Sequence, residues 1–292
     1  MTLEQLRIFV AVAEREHVTQ GARDLNLTQS ASSAAIAALE ARYATKLFDR
    51  IGRRILLTEA GRIFLEEARA VLARARAAEA VLTDFAGMKV GSLNIAASQT
   101  VANYWLPARL HQFRNLFPVI VANVAIGNTQ TVAARVTEGL ADLGIVEGLV
   151  DDPVLSVTPV ADDEMVLVVG KSHKWAKREG VAPEEFDQTE WVLREQGSGT
   201  RAALEAVIAR AGLENKAIKT ALELPSNESV RAAVEAGAGA GVMSKLVVER
   251  SIKAGVLVRL NAPLPIRQFF LLKHEQRHIT RISQEFTQLL CG

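Results

Sequence analysis

The chain opens on apolar residues at helical spacing. Leu3, Leu6, Phe9, Val10 and Ala13 step by three and four, which predicts a first amphipathic helix. From Val18 to Glu40 two shorter helical patterns follow, with Leu25-Asn26-Leu27 between them. Thr19 is placed to cap the first and Thr28 the second, because a threonine hydroxyl accepts from the free N–H groups of a first turn. Asn26 suits the tight bend. Ala22, Leu25, Leu27, Ala31, Ile36 and Leu39 are expected to form the inside. The segment Leu47 to Leu57 then reads as a small hairpin with Gly52 at its turn and Arg50, Arg53 and Arg54 around it.

Thr58 and Glu59 open a longer pattern that contains no proline as far as Met88. Phe64, Ala68, Val71, Ala75, Ala78, Leu82 and Phe85 alternate steps of four and three, the heptad seam of a helix that pairs with another helix. A surface helix packed on its own domain is the plainer alternative.

After Gly91 the period changes. Short apolar runs alternate with helical segments, which predicts parallel α/β units. Strands are expected at 92–97, 119–126 and 142–146, with helices at 101–117 and 129–138. Two strands, 155–160 and 165–169, carry the chain to a second lobe. That lobe holds strands at 191–193, 219–224, 241–243 and 256–260, with helices at 200–211 and 228–236 and a third running to about 254. Pro263 and Pro265 mark a second crossing, followed by a strand at 268–273 and a closing helix at 279–290.

Composition narrows the picture. The chain has 292 residues, 49% hydrophobic and 23% charged, which suits a globular protein of about two domains. The net charge of +1 supplies no global field toward nucleic acid. Residues 1–58 hold eight basic and six acidic residues, an excess of two, with Lys46, Arg50, Arg53 and Arg54 gathered at the hairpin. The start has no basic head before an apolar run, and no uncharged run is long enough for a bilayer, so a cytoplasmic protein without a membrane partner is expected. The single cysteine, Cys291, excludes an intramolecular disulfide.

Gln29, Ser30, Ser32 and Ser33 fall in the first turns of the second short helix, where short polar side chains can reach base edges in a major groove. Thr28, Gln29, Ser30, Ser32 and Ser33 are therefore the candidate DNA contacts, with Arg50, Arg53 and Arg54 of the hairpin on the phosphates or minor groove. Taken alone, an alanine-rich hairpin of helices with solvated serines reads equally well. The helix before it and the basic hairpin after it tip the balance.

These pieces resemble the winged helix-turn-helix of the LysR-type transcriptional regulators. The shared residues are Leu6-Arg7-x-Phe9, Ala22, Leu25, Leu27-Thr28-Gln29-Ser30-x-x-Ser33, Ile36, Leu39-Glu40, Leu47-Phe48-x-Arg50 and Leu57-Thr58-x-x-Gly61. Ala97-Ser98-Gln99-Thr100, Tyr104-Trp105-Leu106-Pro107 and Ile126-Gly127-Asn128-Thr129 resemble the branch related to regulators of cysteine synthesis and sulfite reduction. Ser30 stands where the family usually has proline, and Ala34 where it often has a basic residue. The recognition helix is thus poor in charge, which shifts the weight of affinity to the wing and to pairing of subunits.

The resemblance implies an α/β protein with an all-α winged helix-turn-helix head, a long linker helix and a two-lobed periplasmic-binding-protein-like effector domain. The expected division is residues 1–58 for the head, 59–88 for the linker and 89–292 for the effector domain. Lobe I spans 89–161 and 267–292, and lobe II spans 162–266. Implied partners are double-stranded DNA and further copies of the chain, as a homodimer or homotetramer through the linker helix. RNA polymerase is a further partner that such a regulator admits.

Polar residues mark the ends of the predicted strands. Ser98 and Thr100 follow the first strand, Asn128 and Thr129 the second, and Ser198 and Thr200 precede the first helix of lobe II. Ligands of open α/β sheets bind at such ends, and helix N-termini favour anions. The expected effector is a small anion held between the lobes by neutral donors, with no buried cation. For any one of these residues an N-cap is an equal reading. Glu147 also ends a strand, and in the pocket it would disfavour a dianion. The family branch implies a sulfur oxyanion.

Other motifs are set aside. Gly197-Ser198-Gly199-Thr200-Arg201 lacks the lysine and spacing of a P-loop, and the glycines at 237, 239 and 241 leave a helix rather than enter one. His274 and His278 have no third ligand nearby, and Asp162-Asp163-Glu164 reads as a solvated run. No metal, no cofactor and no enzymatic activity is expected. The rival reading is a two-lobed small-molecule receptor or enzyme with no specific DNA role.

Overall fold

The computed structural model describes residues 1–51, 54–85, 91–213 and 218–292, except the side chains at 50, 51, 54 and 85. Contacts divide the chain into two compact units. One is built chiefly of residues 1–85, and the other of 86–137 and 141–292.

In the first unit, Thr2 and Gln5 form a reciprocal capping box at the start of α1 (Leu3–Arg15). Leu6, Phe9 and Ala13 pack with Leu39, Leu47, Leu65 and Ala68, while Ile8 and Val12 pack with Ile36. The next helix, α2 (Val18–Asp24), is capped by His17, whose Nδ1 accepts from the Gln20 N–H at 3.4 Å. Thr19 does not cap it, because Val18 is already helical and Thr19 falls inside the first turn. Asn26 takes a φ of 56° at the bend, as the sequence predicts. Thr28 caps α3 (Gln29–Tyr43) through the Ala31 N–H at 3.2 Å.

The hairpin pairs β1 (Phe48–Ile51) with β2 (Arg54–Leu57) antiparallel, Phe48 opposite Leu57. Thr58 Oγ1 then accepts from the Gly61 N–H at 2.9 Å and donates to the Lys46 carbonyl at 2.8 Å, which joins the hairpin to α4 (Glu59–Phe85). The heptad seam of α4 splits along its length. Phe64 and Ala68 pack into this unit's own core, whereas Val71 and Leu82 are exposed. Ala31 is exposed and Ser32 is buried in its place, because Ser32, Ile36 and Leu39 stand at i, i+4 and i+7 on one face of α3.

The second unit begins with β3 (Gly91–Ser98), a turn of π-helix at Val101–Trp105, and α5 (Leu106–Leu116). It continues through β4 (Ile120–Gly127), α6 (Thr129–Glu138) and β5 (Leu143–Glu147). The two strands expected at 155–160 and 165–169 are one 16-residue strand, β6 (Leu155–Gly170). The acidic run stays in the strand, paired with residues 266–268, and a bulge between Pro159 and Ala161 takes the place of the expected break. A 3₁₀ turn at Pro183–Gln188, β7 (Glu190–Arg194), α7 (Gly199–Arg210), β8 (Lys219–Leu224) and α8 (Asn227–Glu235) follow. The chain closes with β9 (Ala240–Ser244), α9 (Lys245–Lys253), β10 (Leu257–Leu260), β11 (Ile266–His274) and α10 (Arg281–Cys291).

The strand order is β4-β3-β5-β11-β6-β9-β7-β8, with β10 added to β6. Parallel pairs lie toward both ends, β3 with β4 and β5, and β7 with β8 and β9. In the middle β6 and β11 run antiparallel, from Leu155 opposite His274 to Glu164 opposite Ile266. These two strands are the crossings between the lobes. Lobe I buries Leu93, Ile95, Phe113 and Phe286, and lobe II buries Trp175, Phe186, Trp191 and Leu204. Each such side chain contributes about 1.5–3 kcal/mol by leaving water. No described helix is long and apolar enough to cross a membrane.

Gly61 is a close-approach position. A Cβ there would lie 2.1 Å from the Leu47 carbonyl oxygen. Gly61→Ala is expected to destabilise the first unit by about 1–3 kcal/mol, read as a lower denaturation midpoint. An unchanged midpoint would show that α4 shifts freely against the hairpin.

Candidate functional site: a recognition helix and an interlobe network

On the first unit, the start of α3 presents short polar groups to solvent. Thr28, Gln29 and Ser30 are exposed and Ser33 is half-buried. Gln29 Nε2 donates to Ser33 Oγ at 2.9 Å, and the Thr28 and Ser30 hydroxyls pair at 3.1 Å. Both contacts are exposed, so a base edge can replace them at little cost. Ser32 differs. It is fully buried, and its Oγ has no hydrogen-bond partner among the described residues. It faces the inside of the unit and leaves the set of candidate DNA contacts.

The hairpin is held to α3 by Glu40. One carboxylate oxygen accepts from the N–H groups of Leu47 at 2.8 Å and Phe48 at 3.2 Å, and the other pairs with Lys46 at 2.9 Å. Burial alone would raise the Glu40 pKa. Lys46 and the two N–H groups outweigh that, and the net shift is downward. The carboxylate is therefore the charged strut between recognition helix and wing. Arg50 and Arg54 belong to the hairpin strands, but their side chains, and Arg53 with Gly52, lie outside the described residues.

In the second unit the strand-end residues named from the sequence do come together. Thr100 Oγ1 donates to Glu147 Oε1 at 2.9 Å and accepts from Asn227 Nδ2, at the start of α8, at 3.0 Å. Thr129 Oγ1 donates to the Glu147 carbonyl at 2.7 Å. Asn128 Nδ2 reaches across to the Gln196 carbonyl at 3.3 Å, while its Oδ1 caps α6 through the Thr131 N–H. Ser198 caps α7 through the Thr200 N–H at 3.3 Å. The N-cap reading thus holds for Asn128 and Ser198. Ser98 is buried at the end of β3, its Oγ with no partner among the described residues.

Gly199 explains the glycine-rich segment before α7. A Cβ at that position would lie 1.9 Å from the Glu147 carbonyl oxygen, so the helix start of lobe II seats directly on the end of β5 in lobe I. The need is for close approach between lobes rather than for cradling a phosphate.

The expectation of neutral donors without a buried cation is overturned. Arg267 is buried at the start of β11, between the lobes. Its Nε donates to Asp163 Oδ2 at 2.7 Å, its Nη1 to Thr200 Oγ1 at 3.2 Å, and its Nη2 lies 4.0 Å from Glu147 Oε1 without a hydrogen bond. Asp163 also accepts from Ser244, so the acidic run is solvated only at its flanks. A second buried guanidinium, Arg194, donates to Asn227 Oδ1 and holds Glu195 at 2.8 Å. The missed signal was strand alternation. Arg267 shares a face with Phe269 and Leu271, and Asp163 with Met165 and Leu167. Glu147 is buried among these groups. Burial raises its carboxyl pKa, against the opposing pull of Arg267 and Thr100. Among the described residues no group of three His, Cys, Asp or Glu could hold a metal ion.

Comparison with known proteins agrees with both units. Residues 3–62 match the model of the bacterial regulatory helix-turn-helix protein, lysR family, and residues 86–291 match the LysR substrate binding domain. The chain is 33% identical to a probable RuBisCO transcriptional regulator of Cyanophora paradoxa, over 98% of this chain and 90% of that one. It is also 33% identical to the HTH-type transcriptional regulator CysL of Bacillus subtilis, over 86% and 83% of the two chains. CysL lies in the branch that the strand-end motifs resemble. Among solved structures, full-length CbnR complexed with its target DNA shares the fold with a TM-score of 0.73 at 21% identity, 99% of each chain being covered.

Ser32 provides a direct check on which face of α3 is free. Ser32→Ala removes an unpartnered buried hydroxyl and is expected to leave DNA affinity unchanged while stability holds or rises by about 1 kcal/mol. A loss of affinity in gel-shift titration would place Ser32 at the DNA after all.

Proposed function

From the premise that the chain belongs to the LysR family of transcriptional regulators, we propose that its DNA readout is controlled by a small anion bound between lobes I and II. The DNA-binding head and the effector domain are those of the family. The anionic class rests on one observation. Arg267 is buried at the lobe boundary, and its Nη2, Ser98 Oγ and Glu147 Oε2 have no hydrogen-bond partner among the described residues. Buried polar atoms are normally satisfied, so the three mark where a ligand's own polar groups would enter.

Charge decides what kind of anion fits. Arg267 faces two carboxylates, Asp163 and Glu147. If both were ionised the group would be net negative and would repel the ligand. Glu147 has its pKa pushed up by burial, so its proton is the one that makes room. A protonated Glu147 donates to an anion instead of repelling it. A sulfur oxyanion remains the first ligand to try, on the resemblance to the cysteine-synthesis branch and the likeness to CysL. Sequence is read by Thr28, Gln29, Ser30 and Ser33, and phosphates by Arg50, Arg53 and Arg54. Copies pair through α4, whose Val71 and Leu82 are exposed. We place the protein in the cytoplasm, with RNA polymerase as the partner of the assembled regulator.

Two sets of outcomes test this. For the head, Gln29→Ala is expected to relax sequence preference, at about 1–3 kcal/mol per lost base contact. Arg53→Ala is expected to weaken binding to all sequences and to lower the salt slope by about one. Equal loss on every sequence from Gln29→Ala would remove it from base reading. For the cleft, thermal shift with sulfite, sulfate, thiosulfate and simple carboxylates should find at least one stabilising anion. Thiosulfate, or any responding anion of constant charge near neutrality, should bind more tightly as pH falls, because binding favours protonated Glu147. Glu147→Gln should abolish that dependence. No response to any of these anions sinks the anionic assignment.

A further inference from the structure

Lobe contacts leave a second opening, away from Arg267. A cavity of about 390 Å³ lies where the π-helical turn of lobe I faces α8 and α9 of lobe II. Asn103 and Tyr104 line it from lobe I, and Arg231, Leu246, Val247, Glu249 and Arg250 from lobe II. That volume lies within the range of small-molecule sites. The turn is itself unusual, since π-helical turns are rare and are found frequently at functional sites.

The charges around the cavity are unequally committed. Glu228 accepts from Tyr104 Oη at 3.0 Å and from Asn103 at 3.4 Å. Glu249 is paired with Lys253 at 2.8 Å. Arg231 Nε is buried without a hydrogen bond, 3.6 Å from Glu235, and its Nη1 donates to the Val247 carbonyl at 3.4 Å. Arg250 makes no ion pair and no side-chain hydrogen bond among the described residues. The carboxylates are engaged and one guanidinium is not. Beside it stand an apolar wall of Leu246 and Val247 and the ring of Tyr104.

We propose that this cavity is a second ligand site, which takes a small carboxylate carrying an apolar body. The carboxylate pairs with Arg250, the geometry in which arginine and carboxylate bond most strongly. The apolar body covers Leu246, Val247 and Tyr104. Glu228 and Glu249 stand close enough to disfavour a dianion such as phosphate. Because the walls come from both lobes, an occupant favours the lobe spacing that forms the cavity and disfavours any other. The site is independent of the anion assigned to Arg267.

Calorimetric titration of the full-length protein with phenylacetate tests it, with the neutral isostere phenylacetamide alongside. Saturable binding of phenylacetate and none of phenylacetamide is expected. Arg250→Gln should weaken binding by about tenfold or more, and Leu246→Trp, which fills the cavity, should abolish it. Ser98→Ala, in the other site, should leave it unchanged. Absence of saturable binding overturns the proposal. So does binding that survives Arg250→Gln, or binding lost in Ser98→Ala but kept in Arg250→Gln, which would place phenylacetate at Arg267. If Leu246→Trp fails to fold, Arg250→Gln still decides, since its guanidinium makes no ion pair and no side-chain hydrogen bond among the described residues.

Discussion

The effector domain depends on one buried guanidinium. A charge taken from water costs several kcal/mol unless it is paired and hydrogen-bonded. Arg267 meets that demand with Asp163 on β6, Thr200 on α7 and the nearby Glu147 on β5. Those partners come from both lobes and from the crossing strand itself. Lobe spacing and local charge balance are therefore the same variable. A change in the charge of these groups alters the free energy of that spacing directly. An effector domain needs such a link between ligand and conformation.

The head is arranged on a different constraint, close packing of backbone. Gly61 lets α4 meet the Leu47 carbonyl, and Gly21 lets α2 meet the backbone of Val12. Glu40 then ties the wing to α3 through two N–H groups and Lys46. With helix and wing fixed to each other, only side chains remain free at the start of α3, and they are short and uncharged. Such a surface discriminates bases poorly by charge and well by hydrogen-bond pattern. Residues 1–58 carry an excess of only two positive charges, so their own field toward phosphates is modest.

Alternation explains most of what reading by residue type left out. Arg267 and Asp163 are charged residues on apolar strand faces, where residue type alone suggests solvent and the residues two positions on, Phe269 and Met165, show burial. Ser32 was grouped with Ser30 and Ser33 by spacing, yet it points inward. His17 displaces Thr19 as the cap because the helix begins two residues earlier than expected. A shift of a residue or two along the chain changes which face a side chain occupies, and residue type does not report that shift.

Sequence by itself determined most of the element order, the two crossings, the Thr28 and Thr58 caps, the Asn26 bend and the set of strand-end hydroxyls. These depend on period, on capping chemistry and on backbone preference, all of which act within a few residues. Tertiary structure alone decided which polar groups share a site. Thr100 meets Glu147 and Asn227, Thr200 meets Arg267, and Gly199 presses on the Glu147 carbonyl across 52 positions of chain. It also decided the charge of the cleft, because a carboxyl pKa is set by the burial and the guanidinium around it. No local pattern carries that information, since the groups that set it lie on strands that meet only when the sheet is complete.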